Sequence, residues 1–549
     1  MSTQTYSTYP PRRRRKKKSR KAPLLGLLAI VVVVGGGLLA LLLWWPSARI
    51  HGDPQALAGL KLAPKGETIA SVTVTDSNGR RVPVTIRNGR IWPDGKLASG
   101  ERLQIHATLR RTKWVGWLVG HSERIDAVVT TPESSVAARL LHLHDGEPVA
   151  IAFDHPASTV VLKLPGFAPD HLSFARPRGR VQTGLDATGK NRFGIAEVSV
   201  AARPWEALSA PVRVSWFPAG LRLQAVVKPA PGTTIDPGAP ITLTFSEPVK
   251  AVLGLARPRL DPETPGSWKQ TATNVLTFRP TQGYALGKTL SLSLPAPTDI
   301  LAVGHTQTVQ TLSWDVPVGS IERLQQLLGD LGYLPLEWHP ANGEVPATAI
   351  AQANAAISPP QGTFTWRYPG TPKELRSLWR PDGWTRMTQG AVMAFEHDHD
   401  LAVDGVAGPI VWHSLIAAAL KGNEPAPKYS YVFVHRSVPQ NLTLWSDGKI
   451  VLNAKINTGV PAAPTPYGTH AVFEHIPVGT MRGRNPDGSK YVDPGIKWIS
   501  YFYGGEAIHG FDRPTYGFPQ SVGCVEAPND TAGEIWPYTT IGTLVSIVP

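Results

Sequence analysis

The sequence predicts a multidomain, mainly β chain with an N-terminal transmembrane helix, β-sandwich modules, one small helical module and a β-rich terminal domain. Three observations carry that expectation. The 549 residues are 42% hydrophobic and include 52 Gly and 52 Pro, a composition of many turns and few long helices. Apolar and polar residues alternate in run after run, the spacing of half-buried antiparallel strands, and change to helical spacing only between about residues 318 and 421. An uncharged stretch, "PLLGLLAIVVVVGGGLLALLLWW" (Pro23 to Trp45), is long enough to span a hydrocarbon core of about 30 Å.

The N-terminus sets the orientation. "PRRRRKKKSRK" (Pro11 to Lys21) carries nine of the cations behind a net charge of +14, so the remainder is only mildly basic. A nucleic-acid protein would instead spread its cations over a folded face, so no nucleic-acid partner is expected. Cations before an apolar span hold that end inside, and Trp44 and Trp45 suit the far interface. Residues 1–22 are therefore expected to be a basic cytoplasmic tail and residues 23–45 a single-pass membrane anchor, with the chain beyond about Pro46 outside the cytoplasm. A cleaved signal peptide fits less well, because its apolar core would be unusually long and "WWPSAR" is a poor small-x-small cleavage site. Outside the cytoplasm disulfides are permitted, yet Cys524 is the only cysteine in the sequence.

After a short spacer, "TIASVTVTDSNGRRVPVTIRNGRIWP" (Thr68 to Pro93) alternates around turn signals, and "ERLQIHATL", "PVAIAFD", "STVVLKL" and "APVRVSWFP" continue the pattern. Residues 66–218 read as one or two β-sandwich modules. Residues 219–317 form a second β segment, whose "PAPGTTIDPGAPITLTFSEPV" (Pro229 to Val249) resembles a bacterial immunoglobulin-like module that serves as a spacer. Glu247, within its "TFSEPV", reads as a solvent residue of an edge strand.

The period then changes. In "SIERLQQLLGDLGYLP", Leu324, Leu327, Leu328 and Leu331 fall at helical spacing, and Gly332 stops the helix. Two further helical patterns flank "VDGVAGP" between Met387 and Leu420. Residues 318–421 resemble the peptidoglycan-binding module of bacterial wall enzymes, a small three-helix bundle, with an insertion at about Leu336 to Arg386. The "HDHD" run (His397 to Asp400) puts its histidines on different helix faces, so no metal site is expected there. "KGNEPAPK" is a linker, and period-two alternation from Tyr429 onward makes residues 429–549 another β domain.

This last domain holds "IHGFDRPTYGFPQSVGCVE" (Ile508 to Glu526). A thiol nucleophile needs a nearby base or oriented backbone dipoles. His509 precedes Cys524 by 15 residues, an interval rich in Gly and Pro that suits a loop returning to its starting edge. Gly523 permits close backbone approach, and successive N–H groups beside it suit an oxyanion. The alternative is a buried cysteine packing as a small hydrophobe, and spacing alone does not separate the two.

"HGFDRPTYGFPQSVGC" resembles the active-site segment of the YkuD-type L,D-transpeptidases, enzymes that cross-link peptidoglycan. Upstream, "INTGVPAAPTPYGTHAV" and "GIKWISYFYGGEAIHG" resemble further parts of the same domain. The resemblance implies a β-sandwich-like catalytic fold, with Cys524 as nucleophile, His509 as base and the carbonyl of Gly510 as orienting group. It also implies an oxyanion hole of amides around Gly523 and Cys524, with Ser521 shaping the loop. No cofactor or metal is implied. Tyr491, Trp498 and Tyr516 are expected to line a substrate cleft, and the polar stretch Met481 to Asp493 to form a loop over it. His470 and His475 are expected to be structural. Val522 stands where the family commonly has a second His, and Glu526 where it has Arg or Asn.

The function implied is a membrane-anchored L,D-transpeptidase working in the cell wall. Peptidoglycan stem peptides would be donor and acceptor, cross-links would join third residues (3-3) through a cysteine thioester, and carbapenem-type β-lactams would inhibit. An L,D-carboxypeptidase, with water as acceptor, and a non-catalytic peptidoglycan-binding scaffold are the alternatives.

Overall fold

Alternation of apolar residues dictates most of what forms. The computed structural model describes residues 30, 33–37, 47–63, 67–113, 116, 120–220, 222–303, 305–422 and 427–549. The expected basic tail lies outside the described residues, as does most of the expected anchor; only residue 30 and residues 33–37 of it are described, as helix. Among the described residues no helix is long and apolar enough to cross a membrane. The chain falls into two compact units, one ending at Trp216 and one beginning at Phe217.

The first unit is built from three sheets, two of which share their core while the third encloses its own. Strand Arg102–Arg111 shows the rule: Leu103, Ile105, Ala107 and Leu109 point inward and are fully buried, while the residues between them face outward. It lies between Glu67–Thr75 and Ser122–Thr130. The segment expected to be a spacer contributes strands Arg49–His51 and Ala58–Lys61, which join Arg90–Pro93 in a second sheet. A five-stranded sheet containing Pro148–Lys163 and Gly194–Ala201 encloses a different core, of Val149, Ile151, Val160, Val198 and Trp216. The unit thus has two β layers with distinct cores, a boundary that alternation alone does not mark.

The second unit begins with a seven-stranded sheet in which Ile241–Phe245 is an inner strand between Gln224–Lys228 and Val275–Pro280. Glu247 is exposed just past the end of that inner strand, so it is not an edge-strand residue. Helix Ile321–Asp330 follows, with the Ser320 hydroxyl accepting from the Arg323 amide at 3.1 Å as its cap. Residues 336–386 add more than the three-helix pattern holds: strands Leu336–Pro340 and Gly362–Trp366 pair around helix Ala349–Ile357. Helices Arg386–Asp398 and Pro409–Lys421 close the segment. In the connection between them, the buried Glu396 carboxylate accepts from the amides of Asp404 and Gly405 at 3.1 and 2.8 Å.

The terminal domain has two sheets. One carries five strands, in the order Lys449–Lys455, Asn441–Ser446, Ser430–His435, Leu544–Val548, Gly468–Ala471. The other carries four, in the order Glu474–Arg484, Lys490–Tyr503, Glu506–Gly510, Val525–Ala527. Val432, Leu444, Phe502, Ile508, Val525 and Ile547 fill the core they share. The stretch Met481 to Asp493, expected as a loop, is the two arms of a hairpin: Met481 pairs with Asp493 and Gly483 with Tyr491. Met481 and Tyr491 pack into the cluster beneath it with Ile496 and Ile499, and that burial makes strand of a polar-looking segment.

Candidate active site

Two strands of the four-stranded sheet position the chemistry. Glu506–Gly510 runs parallel to Val525–Ala527, in the register Ile508 to Val525, His509 to Glu526 and Gly510 to Ala527. Parallel neighbours require a connection that leaves the sheet and returns. Residues 511–524 supply it, so Cys524 arrives at the start of the strand beside the one that carries His509.

That return is pinned by backbone and hydroxyl groups. The Tyr516 hydroxyl donates to the Phe511 carbonyl at 2.6 Å and accepts from the Arg513 amide at 2.9 Å. The Gly517 amide donates to the Ile456 carbonyl, and the Gly517 carbonyl accepts from the Gln440 amide at 2.7 Å. Just before the thiol, the Ser521 hydroxyl donates to the Cys524 carbonyl at 2.6 Å and accepts from the Gly523 amide at 3.3 Å. Gly523 has a φ of +114°, a conformation side chains rarely adopt. Thr465, from the upstream "TPYG" stretch, donates to the Gly523 carbonyl at 2.7 Å and accepts from the Gly459 amide at 2.9 Å. The two separated sequence stretches are thus parts of one loop scaffold.

His509 is buried, and its Nδ1 lies 3.1 Å from the Gly510 carbonyl oxygen. A carbonyl only accepts, so Nδ1 carries the proton and Nε2 is left with its lone pair. Burial holds the ring below the usual histidine range, a drop that the Glu526 and Asp493 carboxylates oppose and the Arg513 guanidinium reinforces. The Cys524 thiol is half-buried and leans on the Gly505 carbonyl at 3.9 Å. Burial pushes it up to about 12, the carboxylates of Glu526 and Glu506 add to that, and a hydrogen bond from the Ala507 backbone opposes it. Burial thus favours the neutral form of both groups.

Cys524 and His509 open onto one cavity of about 260 Å³, with Tyr491, Asp493, Val522 and the Arg513–Glu526 pair also on its wall. Of the aromatic residues expected there, Tyr491 lines it and the other two do not. Trp498 packs on Trp536, ring centres 5.4 Å apart, and lies against Gly533, while Tyr516 is spent on bracing the loop. His475 stacks on Trp536 at 4.0 Å and His470 packs on Tyr503 at 4.6 Å. A larger cavity, about 350 Å³, lies between Tyr284 and Trp412; it shares no residue with the first and holds no nucleophile–base pair. Among the described residues no group of three or more metal-ligating side chains converges.

Sequence reasoning noted Glu526 where the family has Arg or Asn and missed its partner. Arg513 binds it through Nε at 2.9 Å and Nη2 at 2.8 Å. The signal was an arginine inside the loop whose return the motif requires.

A thiol and an imidazole held in one tautomer thus share one cavity of a two-sheet domain. Comparison with known proteins agrees at the level of the domain: residues 429–547 match the YkuD family model, the L,D-transpeptidase catalytic domain, so the chain ends in a catalytic domain of that kind. No curated protein matched. Among solved structures, the catalytic domain of the E. faecium L,D-transpeptidase is 28% identical over 22% of this chain and 96% of that one, with a TM-score of 0.20. The same domain acylated by ertapenem is 27% identical over 23% and 100%, with a TM-score of 0.20. An L,D-transpeptidase from Mycobacterium smegmatis is 14% identical over 60% and 100%, also with a TM-score of 0.20.

Proposed function

We propose that the protein is an L,D-transpeptidase that forms 3-3 peptidoglycan cross-links through a thioester on Cys524. The observation that carries the reading is one cavity holding both Cys524 and a His509 whose Nδ1 is tied to Gly510, inside the domain that matches the family.

The chemistry follows from those atoms. As Sγ of Cys524 bonds to the carbonyl carbon of the donor's diamino acid, its proton passes to Nε2 of His509. The oxygen gains negative charge, for which the Cys524 amide is the donor at hand, the Gly523 amide being bound to the Ser521 hydroxyl. Collapse breaks the bond to the terminal D-residue, whose amine leaves with the proton from the imidazolium. The side-chain amine of a second stem then attacks the thioester, gives its proton to His509, and the released thiolate takes it back. Because the thiol's pKa is raised, the imidazole has a proton to take before or during attack. The Gly510 carbonyl keeps Nε2 as the accepting atom.

The rest of the chain is assigned by sequence. Residues 23–45 anchor it in the cell membrane with the N-terminus cytoplasmic, residues 219–317 are a spacer, and residues 318–421 hold peptidoglycan. Ertapenem, by which the E. faecium domain is acylated, is the natural probe. Intact mass of the full-length chain after incubation is expected to show one adduct, absent from Cys524→Ala. A wild-type chain that stays unmodified would overturn the acyl-transfer reading and leave the wall-binding scaffold in its place.

A further inference from the structure

The mechanism above gives no task to the Arg513–Glu526 pair, although it stands on the wall of the reacting cavity. Glu526 and Cys524 line the same cavity, and the parallel register makes Glu526 the direct neighbour of His509. A lone carboxylate there would act on both. It would hold the proton on the thiol and draw another onto the imidazole, the reverse of what a nucleophile and its base require.

Arg513 occupies both carboxylate oxygens, at 2.9 and 2.8 Å. Arg513 is also held at two other points, one on its backbone and one on its guanidinium. Its amide is bound by the Tyr516 hydroxyl at 2.9 Å, and its charged carbon lies 4.5 Å from the centre of the Phe511 ring. Glu526 is only 4% exposed, so this is not the solvent-screened kind of ion pair. The other groups facing His509 are Asp493 and Tyr491 from the neighbouring strand and Cys524 itself. Helix Asn529–Ile535, packed behind, presents the neutral Asn529 against Gly510, and its Asp530 points to solvent.

We infer that Arg513 is a positioning residue for this site: it clasps Glu526 through both oxygens and offsets part of that carboxylate's charge, which Cys524 and His509 would otherwise feel in full. The inference rests on the reading of those two residues as nucleophile and base. Its prediction is a pair of opposite effects, which a merely structural brace would not produce.

Because Cys524 is the only cysteine, alkylation of the full-length chain in detergent by iodoacetamide reads this thiol alone. Intact mass followed from about pH 6 to about pH 10 gives its reactivity profile. Arg513→Gln should move the profile to higher pH and slow alkylation about tenfold at a fixed pH, and Glu526→Gln should move it to lower pH by a similar factor. The double variant should return to within about threefold of wild type, and Arg513→Lys should lie between wild type and Arg513→Gln. Shifts of both single variants in the same direction, or no shift in either, would overturn the inference. Should Arg513→Gln fail to fold, Glu526→Gln and the double variant still decide, since neither leaves a lone buried carboxylate. Alkylation needs no acyl donor, so the two readings fail separately. Shifted profiles without any ertapenem adduct would sink acyl transfer alone; an adduct with unshifted profiles would sink the clasp alone.

Discussion

Cys524 has two demands on it that pull apart. A half-buried thiol among carboxylates tends to keep its proton, while a nucleophile, the role proposed for it, must lose it. In the proposed reading His509 resolves this: burial lowers its pKa, and Gly510 holds it with Nε2 unprotonated. His509→Gln should therefore lower the rate of ertapenem acylation about 10²–10⁴-fold, while alkylation of the thiol at alkaline pH, which hydroxide can drive, changes far less. Comparable losses in both measurements would mean that the histidine supports the fold rather than the proton transfer. At this scale the sequence is readable where function fixes residue type: a lone thiol, a His-Gly and a Gly before the thiol stand out by their kind. Arg513 and Trp498 are not readable in that way. The partner of Glu526 depends on how a Pro- and Gly-rich loop folds back. The direction of Trp498 depends on a φ of +59°, which alternation does not foresee and which accompanies its packing on Trp536 rather than in the cleft.

At the scale of elements, the loop that carries the thiol is held from outside itself. Thr465 bridges the Gly523 carbonyl and the Gly459 amide, both buried. Thr465→Val keeps the shape and removes both bonds, so about 1–3 kcal/mol of stability should be lost, with slower acylation as the loop loosens. Thermal unfolding and adduct formation check the two halves. In the helical segment, Glu396 is fully buried; Oε2 serves the amides of Asp404 and Gly405, and Oε1 has no partner. Burial, with Asp404 nearby, raises this carboxyl from 4.5 to about 7. A raised acid binds more protons folded than unfolded, so its contribution is complete below about 4.5 and is lost as pH rises through about 7. Glu396→Gln, whose amide oxygen can still accept from both backbone groups, should raise the unfolding temperature above pH 7 and leave it little changed near pH 4. An equal change at both pH values would rule out the titration. Helix spacing made this segment legible in sequence. The strands inside 336–386 were not, because Pro- and Trp-rich text carries no period.

At the scale of the whole molecule, composition and period divide the stretch after Phe217 into a β module, a helical module and a terminal domain, yet the structure joins them in one core. Phe245 and Trp314 of the sheet, Leu328, Met387 and Trp412 of the helices, and Tyr431, Trp445 and Leu544 of the terminal domain belong to a single buried cluster. Sequence reading misses this because each element's apolar face is visible, and the face it meets is not. The joint also has a polar contact, from the Tyr368 hydroxyl to Asp447 at 2.9 Å. Its tightest point is Gly390, where a Cβ would come within 2.5 Å of the Gly542 carbonyl oxygen and 2.9 Å of Leu544. Gly542 has a φ of +82° and is closely packed, so the backbone has little room to give way. Alanine at position 390 suits a helix better than glycine by about 1 kcal/mol, which makes the expected sign a real test. Overpacking at such a contact costs about 1–3 kcal/mol and should win. Calorimetry of the full-length chain is then expected to show the transition of residues 217–549 at lower temperature in Gly390→Ala. It should also begin to split as the helices and the terminal domain uncouple. A rise in unfolding temperature would mean that helix propensity decides at this position, and that the joint is looser than the shared core implies.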